Sequence, residues 1–310
     1  MQALIVTDGK VGHERQSQAF CTLLNLEPRL VPVSYASKLH KAGSYLADRI
    51  GLRPSLADLP SEIPWHPACV VGTGSTTYYA VKQLAARLGV PSVAILYPRG
   101  YRLDFDLILA PAMDEAPSAP NLIELPINLC DQRPEVFAPQ LAEFAERHQK
   151  IRPAVGLIVG GDSKSCTLPD ATVLAAATKI RERFPEHEHW LTTSRRTAPS
   201  LENQLAEMGF DYACLYNRDP FNPVPAFIDA CDHLFVTSDS ASMVSECVSR
   251  GSATVEVILA DHDKPDDKFL RHVQALQKRS CVQYFGDQPS ANRKVDLAAC
   301  LADVSKRLGL

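Results

Sequence analysis

Short apolar runs recur along the chain, each followed by a turn of small residues and then by a helical pattern, and few folds accept that alternation. In the first half the runs are Ala3 to Thr7, Cys69 to Val71, Pro91 to Tyr97 and Asp106 to Ala110, with helical patterns over Glu14 to Leu24 and Thr76 to Leu88. A strand that is apolar at consecutive positions, and not only at alternate ones, is covered on both faces, as a parallel strand in an α/β sheet is. The alternation restarts after the polar, proline-punctuated stretch "DQRPEVFAPQLAEFAERHQKIRP", whose middle reads as a helix. Strands are then expected at Ala154 to Val159, Trp190 to Thr193, Ala213 to Tyr216, His233 to Thr237 and Ala253 to Leu259. Helices are expected at Ala171 to Arg183, Ser200 to Met208, Ala241 to Arg250 and Asp267 to Lys278. The expected fold is α/β: two doubly wound, Rossmann-like domains facing a cleft, residues 1–150 and residues 151–310, with the last helix packing back on the first domain.

The 310 residues include 32 Lys and Arg against 36 Asp and Glu, a formal charge of −4, which argues against a nucleic-acid partner. Nine cysteines stand singly, with no C-x-x-C pair, and read as thiols of a reducing compartment, so the expected location is cytoplasmic. No run reaches the ~18 apolar residues of a membrane span. Contact with a membrane is therefore peripheral if it occurs, and residues 37–53, "SKLHKAGSYLADRIGLR", are the segment to carry it. They mix Lys38, Lys41, Arg49 and Arg53 with Leu39, Tyr45, Leu46 and Ile50, a pattern common to membrane-surface helices and ordinary amphipathic ones.

Ligands of doubly wound sheets bind beyond the carboxyl ends of the strands, so the loops that follow strands are the candidate site. In "VTSDSASMVSE" small hydroxyl residues precede a helix start, where unpaired N–H groups receive phosphate, and Glu246 lies in reach of ribose hydroxyls. Ser240 alone is equally a routine helix cap. In "LIVGGDSKS", Gly160 and Gly161 permit close approach of the backbone to a ligand and Lys164 neutralises phosphate, although a tight turn alone also explains them. Arg195 and Arg196 of "TTSRRT" are suited to bidentate phosphate contact. In the other domain, His13 of "TDGKVGHERQ" is placed to take a proton from a hydroxyl nucleophile, with Asp8 to orient or replace it.

Several chemistries are not supported. Neither "TDGKVGHE" nor "VGTGSTT" makes G-x-G-x-x-G, there is no G-x-S-x-G elbow, and "HEH" at 187–189 is not H-E-x-x-H and reads as a polar loop. The stretch "DHDKPDDKFLRH" reads as a solvated loop entering a helix, with Lys268, Phe269 and His272 as alternatives facing the cleft. No metal and no cofactor is expected.

The segments "DGKVGHERQ", "YPRGYRLDFDLILAP", "GGDSK", "TTSRRT", "VTSDSASMVSE" and "DKFLRHVQAL" stand in the order found in the mitochondrial-fission Elm-type family, which the chain resembles over nearly its whole length. That family is similar to GT-B glycosyltransferases, especially the peptidoglycan N-acetylglucosaminyltransferase. The resemblance implies His13 as the acceptor base with Gly12 beside it, Ser242 and Met243 as backbone diphosphate donors, and Glu246 as a ribose ligand; Gly74 and Ser75, in the loop after the Cys69 strand of the first domain, are expected on the acceptor side. The function it implies is inverting, metal-independent transfer of a sugar from a nucleotide-activated donor to an envelope glycolipid or similar glycan acceptor. Two other readings stay open: a non-catalytic adaptor on the same scaffold, and a nucleotide-sugar epimerase, which the missing dinucleotide fingerprint disfavours.

Overall fold

The computed structural model describes the chain apart from residues 164–165, 265–266 and 288–291. It divides into two compact units, Met1–Asp131 with Asp296–Leu310, and Gln132–Val295.

In unit 1, six parallel strands stand in the spatial order β2-β1-β3-β4-β5-β6: β1 (Gln2–Thr7), β2 (Glu27–Pro32), β3 (Cys69–Thr73), β4 (Ser92–Ile95), β5 (Leu107–Pro111) and β6 (Leu122–Leu125). The four inner strands are buried nearly throughout, as their unbroken apolar runs require. The sequence reading misses both edges. β2 is "EPRLVP", with two prolines and only Val31 buried, a composition that an edge tolerates and an interior strand does not.

Helices α1 (Val11–Leu23), α2 (Lys38–Arg49) and α3 (Tyr78–Leu88) make the first crossovers. Right-handed connections put α1 on one face of the sheet and α2 and α3 on the other. The strand order reverses between β1 and β3, so the loops leaving these two strands open the crevice of the sheet. A buried ion pair orients α2: Asp48 accepts from Lys82 Nζ of α3 at 2.7 Å and from the Arg102 N–H at 2.8 Å. Separating such a pair strands a buried charge, so α2 keeps one face inward and the opposite face outward.

Unit 2 begins with α4 (Pro134–Arg147). This helix lies before residue 150 yet belongs here, because Phe144 packs against Trp190, Tyr212 and Phe227 of this unit. The main sheet is again all parallel: β7 (Ala154–Ile158), β9 (Glu188–Thr192), β10 (Tyr212–Cys214), β11 (His233–Thr237), β12 (Thr254–Ile258) and β14 (Gln283–Tyr284). Their spatial order, β10-β9-β7-β11-β12-β14, is the 3-2-1-4-5-6 of dinucleotide-binding folds, with its reversal between β7 and β11. Two short strands, β8 (Cys166–Thr167) and β13 (Asp261–His262), pair antiparallel beside it. The helices are α5 (Asp170–Arg183), α6 (Pro199–Glu207), α7 (Val224–Ala230), α8 (Ala241–Ser249) and α9 (Lys268–Lys278). Gln132, the first residue of the unit, donates its amide to the carbonyls of Ser249 and of Val295, the last residue, each at 2.6 Å. The chain then rejoins unit 1 in α10 (Leu297–Cys300) and α11 (Val304–Leu308), and Leu297, Leu301 between the helices, Val304 and Leu308 are buried.

Candidate functional site

At the reversal point of unit 1, the loop after β1 carries Asp8 and the first turn of α1 carries His13. His13 Nδ1 lies 3.0 Å from Asp8 Oδ1 and 3.2 Å from Oδ2. Burial pushes the Asp8 carboxyl up, but hydrogen bonding to Lys10 and the neighbouring charges of His13 and Lys10 outweigh it and hold the group below its ordinary value. Asp8 is therefore an ionised acceptor at neutral pH. Because a carboxylate only accepts, Nδ1 is the protonated nitrogen, and in a neutral imidazole the lone pair is on Nε2.

Gly74, at the end of β3, explains where the ring sits. It has φ +84°, and a Cβ there would stand 2.8 Å from His13 Nδ1 and 3.0 Å from Nε2. Glycine is needed at this position twice over, for the left-handed backbone and for the imidazole lying against it. The next residue, Ser75, is exposed, and its carbonyl accepts from Tyr101 Oη at 2.7 Å and from Lys41 Nζ. Lys41 lies 4.9 Å and 5.1 Å from the ring centroids of Tyr35 and Tyr45. Desolvation there lowers its ammonium to about 8. No residue of this brace was singled out in the sequence for holding the loop. Gly12, expected on the same side, has open space where a Cβ would be, so no contact demands glycine there.

At the reversal point of unit 2, three loops converge. Gly160 and Gly161 follow β7, Arg195 and Arg196 follow β9, and Asp239 and Ser240 follow β11. The close approach that the paired glycines permit is made by the protein itself. A Cβ on Gly160 would overlap the Asp239 carboxylate, and one on Gly161 would overlap the Arg196 carbonyl. The Gly161 N–H donates to Asp239 Oδ2 at 3.1 Å, Thr237 Oγ1 donates to Asp239 Oδ1 at 2.6 Å, and the Gly160 N–H donates to Thr237 Oγ1 at 2.8 Å. Arg196 closes the group with an ion pair to Asp239. Asp239, only 1% exposed, is thus the residue of this loop cluster that sequence reasoning missed; its signal was an acid placed among hydroxyls ahead of a helix.

Ser240 caps α8 by accepting the Met243 N–H at 3.4 Å, so that expected phosphate donor already has a partner. Ser242 is exposed in the first turn and Glu246 is half-buried further along the same helix. Arg195 is exposed, and Lys164 lies outside the described residues.

Two other expectations change. Glu188 and His189 of "HEH" belong to β9, not to a polar loop, and both are buried. Glu188 accepts from the Ile151 and Arg152 N–H groups at 2.6 and 3.0 Å, from His148 Nε2 at 2.7 Å and from Trp190 Nε1 at 2.8 Å. Burial raises its carboxyl, and those four donors overcome the effect and bring it down to about 2. In "DHDKPDDKFLRH", His262 is not solvated: it lies 3.3 Å from Ser238 Oγ and 3.2 Å from Asp267. His272 is a core residue beside Ser245, brought by desolvation to about 4. Among the described residues, no group of three or more His, Cys, Asp and Glu side chains is placed to hold a metal ion, and no helix is long and apolar enough to cross a membrane.

Two Rossmann-like units built on all-parallel main sheets define a GT-B fold, the scaffold of glycosyltransferases and nucleotide-sugar epimerases. Residues 11–307 match the family described as Mitochondrial fission ELM1, and the chain belongs to that family. Among solved structures it is similar to UDP-GlcNAc 2-epimerase from Neisseria meningitidis bound to UDP-GlcNAc, at 12% identity and TM-score 0.51, over 99% of this chain and 91% of that one. It is similar also to the S. aureus MnaA-UDP co-structure, at 12% identity and TM-score 0.50, over 100% and 98% of the two chains. MurG of Acinetobacter baumannii matches at 10% identity and TM-score 0.43, over 93% and 87%. No curated protein matches the chain.

Proposed function

We propose that this protein is an inverting, metal-independent glycosyltransferase that moves a sugar from a nucleotide-activated donor to a hydroxyl of an envelope glycolipid or similar glycan. The observation that carries the reading is the Asp8–His13 pair at the reversal point of unit 1, on a GT-B fold. His13 Nε2 takes the acceptor proton, the acceptor oxygen bonds to the anomeric carbon, and the bond from that carbon to the diphosphate breaks. On unit 2, the α8 N-terminus with Ser242 in its first turn suits a diphosphate, Arg195 is a further candidate for it, and Glu246 suits a ribose. Gly160, Gly161 and Arg196 act one step back, through Asp239, by shaping the loops. A lipid-linked acceptor brings the protein to a membrane surface from the cytoplasmic side.

A thermal-shift panel of nucleotides and nucleotide sugars tests this. A ligand far above its dissociation constant stabilises its protein by ~2 to 3 kcal/mol. Glu246→Ala weakens that binding, whereas His13→Ala leaves it intact and abolishes transfer. No shift with any nucleotide would favour the adaptor. The Neisseria structure holds UDP-GlcNAc on the same fold, which keeps the epimerase as a second reading. Conversion of a nucleotide sugar without any acceptor would establish it.

A further inference from the structure

Helix α2 of unit 1 carries an apolar surface that the site does not use. Leu39, Leu46 and Ile50, with Leu52 just beyond, are 82%, 64%, 63% and 57% exposed. At 3.6 residues per turn Leu39, Leu46 and Ile50 fall within roughly 40° of one another. Ser44 and Asp48, roughly 140 to 180° round the helix from the stripe, are buried, as is Ala47 on the flank between. The buried Asp48–Lys82 pair fixes which side is which. The stripe is therefore not one solution among several rotations of a loose helix.

Its charge is one-sided. Lys38 and Arg49 are exposed and fall together about 80 to 100° from the stripe. Arg102 lies against Gly51 at the end of the helix, where a Cβ would meet its guanidinium, and Arg53 stands beside it. The acids within this cluster are Asp48, buried on Lys82, and Asp104, which Lys82, Arg53 and Arg102 share. In a chain of net charge −4, this face is locally cationic and apolar together. Aliphatic side chains flanked by Lys and Arg match the boundary between acyl chains and anionic headgroups.

We propose that the outer face of α2 docks this protein on an anionic membrane surface, with Leu39, Leu46 and Ile50 entering the headgroup boundary and Lys38 and Arg49 meeting lipid phosphates. The same helix supplies Lys41, which holds Ser75 next to Gly74 and His13. Docking thereby sets the acceptor loop beside the bilayer, and this last step alone rests on the glycosyltransferase reading.

The test is co-sedimentation of the whole chain with vesicles of phosphatidylcholine containing about one-third phosphatidylglycerol, at low and high salt. Wild type pellets with these vesicles, is released by salt and stays in solution with pure phosphatidylcholine. Leu46→Glu with Ile50→Glu loses binding while its thermal melt is unchanged. The milder pair Lys38→Gln and Arg49→Gln, which leaves the apolar stripe intact, loses on the order of tenfold. The proposal is overturned if wild type stays in the supernatant, if the Leu46→Glu, Ile50→Glu variant binds as well as wild type, or if the chain self-associates through this face and that variant merely dissociates it. Nucleotide thermal shifts run on the same samples separate the two ideas: intact nucleotide binding without vesicle binding removes only the docking face, and the converse removes only the transferase.

Discussion

Replacing Gly74 by alanine should dislodge His13 and release Asp8. Two costs add. An L-residue at φ +84° carries about 1 kcal/mol of backbone strain. The new Cβ would overlap the imidazole, most closely at Cε1, so the ring must retreat by roughly 1 Å to regain ordinary contact near 3.5 Å. That retreat breaks the bond to Asp8, a charged hydrogen bond worth about 1.5 to 3 kcal/mol. The total is about 2 to 4 kcal/mol, or about 5 to 10 °C in the melting of a domain of this size. Carboxyl-carbon NMR gives a second readout, since without His13 the Asp8 titration moves upward. The decisive measurement is a double-mutant cycle. In a His13→Ala background the ring is gone, so Gly74→Ala should cost only the backbone part, about 1 kcal/mol. Equal costs in both backgrounds, or an unmoved Asp8 titration, would refute the steric account.

Glu188→Gln removes a carboxylate held near 2 against an ordinary 4.5, so the contribution is present above pH 4.5 and lost as pH falls toward 2. Denaturant melts should show a deficit of about 3 kcal/mol at neutral pH that shrinks through that window. Lys41 has the opposite sense: its native value near 8 lies below the ordinary 10.5, so the unfolded chain binds more protons between them and stability rises with pH there. Lys41→Met should flatten that rise in pH-dependent melts, leaving the similar part from Lys294. Asp239→Asn leaves Arg196 without its ion pair and should cost about 3 kcal/mol. Adding Arg196→Met should recover part of the loss, as a melt of the double variant would show.

The inner strands were legible because a strand buried on both faces must be apolar throughout, and the sequence has little freedom there. The edges β2 and β6 and the short helix α7 were not, since an edge pairs on one side only and admits the prolines of "EPRLVP". The site was legible in its residue types and not in their partners. His13 next to Asp8 follows from spacing on one loop and one helical turn, whereas Gly74 under His13 needs a residue from another strand. The glycine pair at 160–161 announced a close approach, but nothing local told a phosphate from the carboxylate of Asp239, 78 residues further on. The boundary of the units was misplaced for the same reason: α4 looks like a polar connector until Phe144 meets its aromatic neighbours.

The amide of Gln132 joins the first residue of unit 2 to the last, and this bears on the order in which the molecule is made. Unit 2 is one uninterrupted segment, complete when Val295 has left the ribosome. Unit 1 starts before unit 2 and is finished after it, because Leu297, Leu301, Val304 and Leu308, in and between α10 and α11, become buried only once residues beyond Val295 are made. Those four side chains carry about 1.5 to 3 kcal/mol each when fully buried. The unit translated second therefore reaches its native form first, and a nascent chain stalled before Asp296 holds a finished unit 2 attached to an unfinished unit 1.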